Sequence, residues 1–213
     1  MNVGRPRFRG SLHRWAAVSA VPMAIVLFRY TTTAQQRIVI LIYTCGMLAM
    51  FGGSALYHRG RWTASTKRVM QRVDHSTIFC AIAGTYTPIA VLVLTGGLRI
   101  AMLLTVWVGA LVGVVLQWLS KPPSRVLSAV VYVIVGWAAL MALPQLLDGL
   151  GRPTFALVVL GGLAYTVGSV VYATKHPDPV PASFGYHEVF HLFTLIGAGL
   201  HYAVILRLIF RLR

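Results

Sequence analysis

The sequence predicts an all-α integral membrane protein, a seven-transmembrane-helix bundle with its N-terminus in the cytoplasm and its C-terminus outside. Three observations predict it. Hydrophobic residues make up 57% of the 213-residue chain and charged residues only 11%, against about 25% charged in an ordinary soluble domain. Seven apolar runs follow one another, each near the ~20 residues that cross a bilayer as helix. Lys and Arg fall between the runs and favour one side of the array.

The runs can be taken in order. The first, Leu12–Phe28, follows the basic leader "GRPRFRGSLHR". It ends in "FRYTTT" with no small-residue cleavage site, so it reads as a retained helix and not a signal peptide. The second, Ile38–Tyr57, follows "RYTTTAQQR" and ends in "GGSALYH". The third is Asp74–Leu94, opened by "RVDHS" and closed by "TGGLR". The fourth, Ile100–Leu119, stops at "SKPPSR", and the fifth, Val126–Leu143, stops at "DGLGRP". Thr154–Ala173 is the sixth, separated by "KHPDPVPASFG" from the seventh, His187–Phe210. The short, Gly- and Pro-bearing breaks are turns. A single membrane domain over residues 1–213 is expected, with 1–11 as a short basic N-terminal tail.

Seven spans put the N-terminus and alternate loops on one side. That side carries 12 of the 19 Lys and Arg and the other 7, which assigns it to the cytoplasm. The formal net charge of +15 would point to nucleic acid in a soluble protein. Here topology accounts for it, and membrane lipids, not nucleic acid, are the expected partners; the sequence does not fix an oligomeric state. Cys45 and Cys80 both lie inside apolar runs and are expected to be small core residues. Gly109 and Gly113 form a GxxxG pair suited to close helix packing. Pro22 and Pro88 are candidate kink positions.

Sidedness also gathers the polar residues. Ser54 and His58, four apart on one helix face, close the second run at its cytoplasmic end. Asp74 opens the third run on that side. His187 and His191, again four apart, open the seventh. Three imidazoles and a carboxylate suit a divalent metal, zinc first, with a fourth position left for an activated water. Asp74 is then placed to orient that water and take its proton, and Ser54 to orient a ligand or donate to a substrate oxygen. The ordinary readings are different. A lone membrane His is usually a hydrogen-bonded bundle residue, and a lone helix Ser bonds its own backbone. Glu188 lies in a first helical turn, where a carboxylate favours the dipole. His75 points away from Asp74, and His13 and His176 are interfacial. His201 is about 15 Å along the helix from His191 and bonds across helices.

The stretch His187-Glu188-Val189-Phe190-His191 is also a literal H-E-x-x-H, the zinc-peptidase signature. Intramembrane peptidases add a distant Leu-Asp-Gly, and Leu147-Asp148-Gly149 is present here. The order is reversed, however, and Asp148 exits on the outer side, roughly 30 Å of bilayer away from the His pair. It is expected in a turn after Pro144.

"GGSALYHR", "RVDHSTIFCAIAGTYTPIAV" and "GYHEVFHLFTLIGAGLHY" resemble the hemolysin III proteins, the bacterial branch of the progestin and adipoQ receptor superfamily. The resemblance covers nearly the whole chain, in motif order and spacing. It implies zinc held by His58, His187 and His191, with Asp74 holding zinc-bound water. It also implies hydrolysis of a lipid amide, because the superfamily includes membrane ceramidases. The chain departs from the family at its start: an acidic residue and an Asn usually precede a Thr-His pair, and "RFRGSLHRW" has Arg and Gly there. The leading expectation is a zinc-dependent hydrolase of a lipid amide or ester in the bacterial cell membrane. The alternatives are a non-enzymatic sensor with a structural zinc clamp and, last, a cytolytic pore.

Overall fold

The computed structural model describes residues 6–213, so Arg5 of the basic leader lies outside the described residues. Eight α-helices follow in order: α1 (Ser11–Tyr30), α2 (Ala34–Arg59), α3 (Ala64–Val93), α4 (Gly96–Trp118), α5 (Arg125–Gly136), α6 (Leu143–Leu150), α7 (Arg152–Thr174) and α8 (Tyr186–Arg211). A 3-10 turn at Ala138–Ala142 joins α5 to α6, and together they make one span, Arg125–Leu150. Among the described residues seven spans are long and apolar enough to cross a membrane. Ile25, Ile100, Leu111 and Ile134 are exposed around them. Such a surface suits lipid and would be an aggregation liability in water.

Local chemistry starts these helices where they start. Thr33 caps α2, its hydroxyl accepting from Gln36 N at 3.1 Å while Gln36 Oε1 accepts from Thr33 N at 3.3 Å, a reciprocal capping box. Thr63 caps α3 and Ser124 caps α5 in the same way, each accepting a backbone N–H three residues on. α3 therefore begins at Ala64, ten residues before Asp74, and the expectation that Asp74 opens its helix is corrected. Hydropathy reports immersion, whereas the polar stretch "ASTKRVMQRV" is helical without being apolar.

The fifth span departs from a single straight helix. α5 stops at Gly136, which frees backbone groups inside the apolar layer. Tyr86 of α3 takes both sides of the break. Its hydroxyl donates to Gly136 O at 2.6 Å and accepts from Ala139 N at 3.0 Å. Irregular backbone at membrane depth persists only when buried partners satisfy it. Asp148 and Gly149 lie within α6 and not in a turn, because the chain reverses at Gly151, whose φ of 73° suits glycine.

The bundle packs through small residues. A Cβ on Gly46 would lie 2.9 Å from Cys80 O, and one on Gly84 would lie 3.2 Å from Ile42 O, so α2 and α3 approach backbone to backbone. Gly109 faces Val135, and Gly113 is covered by the Phe79 ring, so the GxxxG pair seats two different helices. Pro22 and Pro88 both lie inside continuous helices. Cys80 is half-buried, but Cys45 is exposed on the bundle surface. The core expectation fails for Cys45, because hydropathy cannot tell a lipid-facing side from an inward one. One apolar core joins α3, α4, α5 and α8, and the other joins α1, α2 and α8.

Candidate metal centre

α2 ends and α8 begins at the end of the bundle that carries the start of α1. His58, on the last turn of α2, and His187 and His191, on the first two turns of α8, meet there, all buried. Each offers one ring nitrogen, and these nitrogens lie within 4.8 Å of one another. His58 Nε2 and His187 Nε2 are 3.0 Å apart. Two nitrogens at ~2.05 Å from a tetrahedral zinc would be about 3.3 Å apart, so this pair fits a shared ion with little adjustment. The His187 and His191 rings are 4.4 Å apart at 56°, converging and not stacked. Three neutral imidazoles without a thiolate fit a borderline ion such as zinc.

Asp74, on α3, faces the same cluster, with Oδ2 3.7 Å from His58 Nε2. Ser54, one turn before His58, lies beside the Asp74 carboxyl. Both are buried. Below them a cavity of about 100 Å³ runs into the bundle, room for several waters. Ser54, Asp74, His187 and His191 line its near end, and Thr85 and His201 lie deeper. Most of the other lining side chains are apolar or aromatic. His75 also lines it but stays outside the imidazole trio, its Nε2 3.5 Å from Tyr172 Oη. His201 Nε2 bonds Val158 O across α7 at 3.1 Å, as expected.

Two other histidines differ from each other. His176 is exposed in the loop before α8. His13 is not interfacial: it is 3% exposed and its ring stacks on His191 at 3.7 Å and 7°. The physical reason is the chain before α1, which folds back over this end. Arg7 N and Phe8 N donate to Ala182 O and Ser183 O, each at 3.2 Å. Gly10, at φ 74°, leaves only 2.6 Å between a would-be Cβ and His58 Cβ, a fit that needs glycine. The parity that gathered His58 and His187 also puts the start of α1 at this end, but the burial of His13 comes from the fold-back, which parity does not carry.

Glu188 is 1% exposed and has a structural position. Its Oε2 accepts from Gly185 N at 2.9 Å, and its Oε1 pairs with Arg9 Nε at 2.7 Å. Asp178 Oδ1 accepts from Tyr186 N at 2.7 Å. Two of the chain's four acidic residues thus satisfy the orphan N–H groups that open α8. Asp148 is at the opposite end, since neighbouring Gly149 O accepts from Arg211 at the end of α8. Twenty-four residues of helix, about 36 Å, separate Arg211 from His187. The Leu-Asp-Gly that a peptidase would need is out of reach.

The chain matches the haemolysin-III related family over residues 1–202. It belongs to that family. The hemolysin-3 homolog of Bacillus subtilis (strain 168) is 30% identical over 190 residues, 88% of this chain and 86% of that protein. Hemolysin-3 of Bacillus cereus is 27% identical over 197 residues, 91% and 87% of the two chains. The human monocyte to macrophage differentiation factor is 26% identical over 205 residues, 93% and 82%. Membership and seven spans make this haemolysin-III protein a multi-pass membrane protein, which in bacteria means the cell membrane.

Proposed function

We propose that this protein is a zinc-dependent hydrolase of a lipid amide or ester, with the metal held by His58, His187 and His191 near the cytoplasmic face. The observation that carries the reading is the convergence of three buried imidazoles beside a buried carboxylate, at the mouth of a largely apolar cavity. A zinc ion there supplies Lewis acidity and lowers the pKa of a water it binds. Asp74 is positioned to take a proton from an attacking water and return it to the leaving group, with Ser54 beside its carboxyl. The apolar lining between α3, α5, α7 and α8 accommodates an acyl chain and excludes bulk water from the reacting bond. The excess of Lys and Arg on the N-terminal side supports the cytoplasmic assignment of that face.

Purified protein of measured zinc content, assayed on ceramides and other amide- and ester-linked lipids, tests the proposal. Turnover is expected, and Asp74→Asn lowers it at least ~100-fold, the scale of a lost general base, with zinc retained. Zinc-loaded protein inert on the whole panel contradicts it.

One observation favours a second reading. The 3.0 Å approach of His58 to His187 ties the end of α2 to the start of α8, so a bound metal would also clamp two helices in a non-enzymatic sensor. In that case His58→Ala lowers thermal stability and zinc content together, and Asp74→Asn leaves both intact. The names of the Bacillus relatives raise cytolysis. The interior cavity, mainly apolar, favours a lipid occupant over a conducting water path.

A further inference from the structure

We propose that His13 is a ligand-binding residue of this cavity, donating a hydrogen bond to a carbonyl oxygen of the lipid held beside the three metal-site histidines. The inference rests on the metal-site reading and adds a residue to it. His13 is buried at the start of α1, and neither ring nitrogen has a hydrogen-bond partner among the described residues. Buried imidazole nitrogens normally find one. The ring lines the same cavity as Ser54, Asp74, His187 and His191, so the missing partner belongs to whatever fills that cavity.

The stack on His191 excludes the simplest alternative, a fourth metal ligand. Imidazole lone pairs lie in the ring plane. The two planes are nearly parallel, 7° apart, with ring centres separated by 3.7 Å. An ion shared between them would sit up to about 1.8 Å out of each plane, most of a ~2.1 Å bond. His13 therefore stands beside the ion's position and not on it, where the carbonyl of a ligand reaching the metal comes past. A neutral imidazole offers one N–H donor, while the Asp74 carboxylate lining the same cavity is an acceptor. The two would hold the two sides of an amide or ester group. His13 also contacts the Phe51 ring edge-on at 5.2 Å, which fixes its direction.

The test uses the full chain in detergent, loaded with Co(II) as a spectroscopic substitute and titrated with acetohydroxamate, a small carbonyl chelator. His13→Phe keeps the aromatic stack and removes the nitrogens; His13→Gln restores a donor. Both variants are expected to hold cobalt at the wild-type ratio. His13→Phe raises the hydroxamate dissociation constant about tenfold, the scale of one hydrogen bond, and His13→Gln recovers it to within about threefold. Wild-type affinity in His13→Phe overturns the assignment and leaves the metal centre standing, as does a His13→Gln no better than His13→Phe. Loss of cobalt in His13→Phe overturns it by making His13 a ligand. A wild-type chain that takes up no cobalt removes the metal reading itself, and this inference with it.

Discussion

Glu188 shows how a residue's neighbours decide its role. In an H-E-x-x-H motif it would be the base of a peptidase, but here both carboxylate oxygens are occupied, one by Gly185 N and one by Arg9. Glu188→Gln is expected to leave metal content unchanged and to lower stability by roughly 1–3 kcal/mol, the cost of leaving a buried charged partner unsatisfied. Arg9→Ala should cost a similar amount, and the double variant little more than either, because both changes break one pair. Thermal unfolding in detergent reads all three. An additive double variant would show that the two residues act separately. His58, Asp74, His187 and His191 were legible from spacing and parity alone, since i,i+4 pairs on known helix ends leave little freedom. His13 was not, because burial at a helix start depends on what folds over it, and here that is the turn at Gly10.

At the scale of elements, the seven spans follow from run length, while two boundaries do not. α3 runs ten residues past its apolar stretch on a Thr63 cap. The fifth span breaks at Gly136 because Tyr86, fifty residues earlier, supplies the partners that the broken ladder lacks. Hydropathy carries neither signal. Tyr86→Phe is therefore expected to destabilise the bundle by about 1–3 kcal/mol, two hydrogen bonds lost inside an apolar layer. Hydrogen exchange should rise around Gly136–Ala139 more than elsewhere; unchanged protection there would count against this account of the break. Gly46→Leu should be worse, since it drives a side chain into the backbone of α3 at Cys80, where overpacking has no flexible neighbour to displace. Size-exclusion profiles of the purified variant, collapsed or aggregated against a sharp wild-type peak, check it.

Across the whole molecule, the bundle gathers the ends of α2 and α8 and an early turn of α3 at one face, beneath the returning N-terminal segment. The proposal that this face is cytoplasmic rests on the charge asymmetry of the loops. With Cys45 and Cys80 replaced by Ser, Ser65→Cys should resist a membrane-impermeant maleimide in intact cells and Gly97→Cys should label; the reverse pattern inverts the orientation without moving the site. The central claim is that His58, His187 and His191 hold one metal ion. Metal analysis of the purified wild-type chain beside His58→Ala and His191→Ala tests it most directly. About one zinc per wild-type chain, falling to near zero in both variants, is the predicted result. Equal metal in all three would contradict it.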